Sequence, residues 1–137
     1  MRPDALLESC LYAADLEAAE QFYSGVLNLE SIAKEPGRHV FFRCGTGVFL
    51  VFNPAATAST PGSVGGAPIP MHGSRGPGHL AFRVEEEALP AWRARLQATG
   101  VAIESEVAWP RGGHSIYFRD PAGNSLELAT ASVWGLE

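Results

Sequence analysis

GGHSIYFRDPAGNSLELA, residues 112–129, reads as two short strands joined by a tight turn. Ile116 and Phe118 alternate with Ser115, Tyr117 and Arg119, the period of a half-buried strand. Residues 120–124, DPAGN, carry turn chemistry: Pro121 presets φ, Gly123 accepts a positive φ, and Asp120 and Asn124 can bond their own backbone. Residues 125–129 alternate again, Leu126 and Leu128 facing one way and Glu127 the other. A carboxylate on such a strand either reaches water, or is buried and needs a cation or hydrogen bonds.

Working outward, residues 78–84 place Leu80, Phe82 and Val84 on one face and His79, Ala81 and Arg83 on the other. A helix is expected from about Glu86, with Leu89, Trp92 and Leu96 on its apolar side, Pro90 in or near its first turn and Gly100 just past its end. Residues 101–107 are expected to form a strand, followed by a loop over 109–113.

The first half shows the same order. Residues 6–13 alternate Leu7, Ser9, Leu11 and Ala13 with Glu8, Cys10 and Tyr12. Asp15 suits an N-cap, and Leu16, Ala19, Phe22 or Tyr23, and Val26 recur at helical spacing. HVFFR (39–43) and VFLVF (48–52) are apolar strands around the turn at 44–47. Residues 53–78 are rich in Pro, Gly, Ser and Ala without periodicity and read as a long connection, with His72 expected to be solvated.

The chain therefore repeats strand–helix–strand–strand–strand. Glu8 to Asp15 and His79 to Glu86 both span seven residues, and FRCGTG (42–47) matches FRDPAG (118–123) at an offset of 76. Such a repeat is a duplicated module, because solenoid units are shorter. The reading is one domain over 1–137: a first module at about 5–53, a connection at about 54–77 and a second module at about 78–130. If each helix covers the apolar face of its sheet, the opposite faces carry Glu8, His79, Tyr117 and Glu127. Three of these four are metal-ligand types.

Composition sets limits on function. Of 137 residues, 46% are hydrophobic and 18% charged, ordinary for a globular chain. A net charge of −5 argues against nucleic-acid and anionic membrane surfaces as partners. No apolar run approaches the roughly 18 residues of a spanning helix, and MRPDALLES has no signal-peptide pattern. Cys10 and Cys44 lack zinc spacing and are expected to be reduced core thiols of a cytoplasmic protein.

At AADLEAAEQFYSGVLNLE, PGHLAF and IYFRDPAGNSLEL the chain resembles the vicinal oxygen chelate superfamily, which includes glyoxalase I, extradiol dioxygenases, methylmalonyl-CoA epimerase and the fosfomycin and bleomycin resistance proteins. The resemblance implies an α+β fold of two tandem βαβββ modules, forming a cup-shaped mixed sheet with helices on its outer face. Carried over residue by residue, it implies Glu8, His79 and Glu127 as ligands of a divalent metal ion (Fe²⁺, Mn²⁺, Mg²⁺ or Zn²⁺). Glyoxalase I and the epimerase take a fourth ligand at a position that falls here on Leu50 or Val51, neither of which binds metal.

A three-ligand set leaves open coordination positions for a substrate that binds by two adjacent oxygens. Tyr117 would then be a catalytic proton or hydrogen-bond donor on the same strand face. Arg111 and His114, with Arg43 and Arg119, are candidates for binding an anionic substrate group; His39 mirrors His114 in the repeat and is expected at a strand start, and Trp109 is expected to pack in the core or at an edge, with stacking on a flat substrate as the alternative. The expected function is a metal-dependent enzyme with dioxygenase-like or lyase/isomerase chemistry on a small oxygen-chelating molecule. The alternative is a protein of the bleomycin or fosfomycin resistance type that sequesters a small ligand. The resemblance also implies a homodimer, with the site either within one chain or shared between two.

Overall fold

The computed structural model describes residues 1–136, which fall into two compact units, Met1–Gly76 and a second beginning at Pro77. The first unit runs β1 (Glu8–Tyr12), α1 (Leu16–Gly25), β2 (Glu30–Glu35), β3 (His39–Cys44), β4 (Gly47–Phe52), α2 (Pro54–Thr57), β5 (Gly62–Val64) and β6 (Ala67–Ile69). The second runs β7 (His79–Arg83), a 3-10 turn (Glu86–Ala88), α3 (Leu89–Ala98), β8 (Ser105–Ala108), β9 (His114–Arg119), β10 (Ser125–Ala129) and a 3-10 turn (Ala131–Trp134).

The strands form two mixed four-stranded sheets of identical order, β1-β4-β3-β2 and β7-β10-β9-β8. In each, the outer strand runs parallel to the last strand of its module: Glu8 pairs with Val48, and His79 with Ser125. This is the α+β architecture of two tandem βαβββ modules. Among the described residues no helix is long and apolar enough to cross a membrane.

Each helix covers the apolar face of its own sheet. In the first unit the Asp15 carboxylate caps α1 by accepting from the Ala18 N–H at 3.0 Å, and α1 buries Tyr23 against Phe42 and Phe49, with ring centroids 5.6 and 4.7 Å away. Lys34 of β2 reaches Glu20 of α1 at 3.1 Å, fixing which face the helix covers. In the second unit Arg93 of α3 meets Glu106 of β8 at 2.8 Å, so α3 covers the face that carries Leu126, Leu128, Ile116 and Phe118, each at most 1% exposed. The opposite face then carries His79, Glu127, Tyr117 and Ser115 by strand alternation.

Three expectations are corrected. Residues 101–104 do not belong to a strand: the Val101 N–H closes the C-terminus of α3 on the Leu96 carbonyl at 2.8 Å, which delays β8 to Ser105. The connection after β4 is not devoid of structure. Asn53 caps α2, and β5 and β6 pair as a hairpin whose turn residues Gly65 and Gly66 both take positive φ, 58° and 81°, as a type I′ turn requires. Cys10 is exposed, because Leu11 takes the buried side of β1; Cys44 is half-buried, and both thiols are free.

The DPAGN turn is held by side chains as well as backbone. Asp120 Oδ1 accepts from the N–H groups of Ala122 and Asn124, and Asn124 Nδ2 donates to Asp120 Oδ2 at 2.9 Å. Asn124, 2% exposed, also accepts from the Gly78 N–H at 2.8 Å, tying the turn to the start of β7. Replacing Asn124 with Ala removes the acceptor of the half-buried Gly78 N–H and one of the donors to the Asp120 carboxylate. The expected loss is about 1–3 kcal/mol of stability, read from the urea midpoint at unchanged slope. An unaltered midpoint would show that the clamp is dispensable.

Candidate functional site

Glu127 sits at the centre of the second sheet, flanked by Ala81 on β7 and Tyr117 on β9, and is only 7% exposed. Its neighbours Leu126 and Leu128 belong to the core, so alternation aims its carboxylate at the uncovered face. A carboxylate taken out of water in this way needs partners. One oxygen, Oε1, accepts a short hydrogen bond from the Ser115 hydroxyl, and that hydroxyl accepts from Trp109 Nε1–H at 2.8 Å.

The other oxygen, Oε2, faces His79 Nε2 at 3.3 Å. His79 Nδ1 lies 3.0 Å from the Ser125 carbonyl, which only accepts, so Nδ1 carries the proton. That bond orients the ring and leaves Nε2 as the outward nitrogen, the arrangement common to metal-ligating histidines. An imidazole nitrogen and a carboxylate oxygen facing each other are donor types that divalent ions accept.

Tyr117 lies across the strand pair from Glu127, its ring 6.3 Å from that of His79. Partial burial, and then the charge of the Glu127 carboxylate beside it, push its phenol above the ordinary value, which keeps the proton on oxygen.

Glu8 is exposed on β1 in the first unit. Among the described residues no group of three or more His, Cys, Asp or Glu side chains is gathered as a metal site. The register places Leu50, not Val51, as the counterpart of Glu127: Leu50 pairs with Cys10 as Glu127 pairs with Ala81. Leu50 is buried and offers no donor.

The remaining candidates lie elsewhere. Alternation turns His114 to the helix-covered face, where Nδ1 stands 2.6 Å from Glu86 Oε1 without hydrogen-bond geometry. Arg111 is exposed in the loop between β8 and β9. Arg119 is engaged by Glu104 at 2.7 Å and the Gly123 carbonyl at 3.1 Å, and Arg43 by Glu30 at 3.7 Å. Sequence reasoning passed over Ser115 as a partner of Glu127, although it had placed Ser115 on the same face as Tyr117. Trp109, expected to pack in the core or at an edge, uses its indole N–H to orient Ser115.

The uncovered face of the first sheet is different in character. It borders a cavity of about 830 Å³ formed wholly by the first unit, with Glu8 at its margin and aromatic rings for walls. His72, expected to be solvated, lines it and shares a 2.7 Å hydrogen bond with the Tyr12 hydroxyl.

His39 also lines this cavity, stacked on Phe41 at 4.0 Å. Burial, opposed by the charge of Glu35 and aided by Arg38, lowers its imidazole below the ordinary 6.5. The unfolded chain then takes up a proton near 6.5 while the folded chain resists it. The contribution of His39 to stability is full above that value and is lost as pH falls through it. His39→Phe keeps the stack without the titration. Its melting temperature should therefore fall less than that of the parent between about pH 7.5 and about pH 5. Parallel pH curves would assign the acid sensitivity elsewhere.

Comparison with known proteins is consistent with this architecture. Residues 5–128 match the family described as the Glyoxalase/Bleomycin resistance protein/Dioxygenase superfamily. A crystal structure described as lactoylglutathione lyase from Agrobacterium tumefaciens is 41% identical, with a TM-score of 0.91 over 99% of this chain and 100% of that one. The metallothiol transferase FosB of Bacillus licheniformis is 40% identical over 57 residues, 41% of this chain; the match spans only 37% of that relative's length. The fosfomycin resistance protein FosX of Listeria monocytogenes, 22% identical with a TM-score of 0.68 over 94% of each chain, is a likeness of fold alone.

Proposed function

We propose that this chain, which belongs to the Glyoxalase/Bleomycin resistance protein/Dioxygenase superfamily, is a metal-dependent enzyme acting on a small molecule that chelates the ion by adjacent oxygens. One observation carries this reading: His79 Nε2 and Glu127 Oε2 stand 3.3 Å apart with the other atoms of both side chains already committed. In this reading Glu8 is the third ligand. Leu50, at the register position of a fourth, supports three ligands rather than four.

A divalent ion held there supplies Lewis acidity toward the substrate oxygens, or activates dioxygen if it is iron. The chain supplies the rest. The Ser125 carbonyl fixes the tautomer and angle of His79. Ser115, itself oriented by Trp109, occupies one Glu127 oxygen and leaves the other for the ion. Tyr117 keeps its phenolic proton beside Glu127, positioned to donate to a substrate oxygen. Dioxygenase-like and lyase or isomerase chemistry both use such a set. The protein is cytoplasmic in this reading and acts as a homodimer. In support, β1 and β7, which carry Glu8 and His79, are both edge strands that pair on one side only among the described residues. In the dimer, Glu8 of one copy completes the pair of the other.

A second reading, sequestration of a small ligand, is favoured by the aromatic-walled cavity of about 830 Å³.

Elemental analysis of protein purified without chelator should find about one divalent ion per chain, lost in Glu127→Ala and in Glu8→Ala. Co-expressing those two variants should restore part of the bound metal, because a mixed dimer keeps one intact shared site. A wild type that binds no Fe²⁺, Mn²⁺, Mg²⁺ or Zn²⁺ after reconstitution would sink the enzyme reading and leave sequestration.

A further inference from the structure

Phe52 is the hub of an aromatic floor in the first unit. Its ring lies 4.6 Å from His72, 5.5 Å from Phe41, 6.1 Å from His39 and 6.4 Å from Tyr12. The Phe41 and His39 rings are nearly parallel, 10° apart at 4.0 Å, and form a flat slab. Phe52 meets that slab and His72 edge-on, at 73° to Phe41 and 81° to His72. All five side chains line the 830 Å³ cavity, which lies within the size range of small-molecule sites.

The cavity is built independently of any ligand. Tyr12 and His72 join β1 to the far end of the hairpin connection through their 2.7 Å bond. The His72 N–H is also fixed, to the Thr57 carbonyl at 3.1 Å. A pocket held open in this way has less ordering entropy to lose on binding.

One charged group stands out at its edge. Arg38 lines the cavity with its guanidinium against β5, where a Cβ on Gly62 would stand 3.6 Å from Nη2. No ion pair among the described residues involves Arg38. The carboxylates that share the cavity are Glu8 and Glu35, and Glu35 faces His39 at 3.9 Å rather than Arg38. Flat aromatic walls favour a planar ring by offset and edge-to-face contact, and a half-buried unpaired guanidinium favours a carboxylate.

We propose that the first-unit cavity binds a planar aromatic carboxylate, its ring on the Phe41–Phe52 floor and its carboxylate on Arg38. This rests on the second reading above only in taking the cavity as a ligand site; it adds the chemistry of the ligand and needs no metal.

Calorimetric titration of the full chain with 2-naphthoate tests it, alongside cyclohexanecarboxylate (charged, not planar) and 2-naphthol (planar, uncharged). The expected result is binding of 2-naphthoate, with both controls weaker by about tenfold or more. Phe52→Ala should weaken 2-naphthoate, and Arg38→Gln should weaken it while leaving 2-naphthol unchanged. Circular dichroism checks the fold of each variant, and Phe52→Leu replaces Phe52→Ala should the latter unfold. Binding should persist in chelator-treated protein and in Glu127→Ala. Equal binding of 2-naphthol, unaffected by Arg38→Gln, would overturn the carboxylate assignment while leaving the cavity a ligand site. Binding of none of the three would overturn the inference, while sequestration of a ligand of another class would still stand. Binding that needs added metal would also overturn it, by moving the ligand to the ion.

Discussion

A carboxylate only 7% exposed on the central strand of a sheet is the constraint around which the second unit is arranged. Leaving it unpaired would cost several kcal/mol, so the sequence surrounds it with groups that donate or share charge. Ser115 takes one oxygen, Trp109 takes Ser115, and His79 stands at the other oxygen with its far nitrogen tied to backbone. Ser115, His79 and Glu127 are placed by the register of β7, β9 and β10, which the clamp of Asp120, Asn124 and Gly78 ties together at one end, and Trp109 by the loop between β8 and β9. The chemistry of the face thus depends on a turn at the end of the strands that carry it.

The two modules show what duplication makes possible. Strand order and pairing are the same, yet Glu127 corresponds to Leu50 and Tyr117 to Phe41. One copy directs a carboxylate and a phenol toward its open face, and the other directs apolar and aromatic side chains. A polar pair and an aromatic-walled cavity arise from one backbone plan, because strand alternation fixes direction and leaves side-chain identity free.

Much of this was legible in the sequence, for reasons specific to each element. The turn DPAGN, the Asp15 cap and the period-two strands are local signals, and they placed Glu127 and His79 on one face. Register then brought the two together. The Gly65-Gly66 hairpin was just as local a signal but lay among prolines, which masked its short strands. His72 could not have been read from sequence, since its role depends on Tyr12, sixty positions away. His114 sits on the helix-covered face because β9 extends back to it, and alternation then groups it with Ile116 and Phe118. Glu8 has no such geometric partner within its own unit, and its candidacy comes from the resemblance and the repeat.

The connection between β4 and β7 has closed ends. The Tyr12–His72 bond and the His72 N–H to Thr57 carbonyl bond hold its base, and Gly73 fits closely there, where a Cβ would meet Ala58 Cβ at 3.0 Å. Between those fixed points, among the described residues, β5 and β6 pair as strands only with each other. Substitutions at residues 62–69 can therefore reshape one wall of the cavity without shifting a single pair in the four-stranded sheet. The floor of His39, Phe41 and Phe52 is carried by the sheet itself, so the hairpin is the part of the cavity lining that can vary while the sheet stays unchanged.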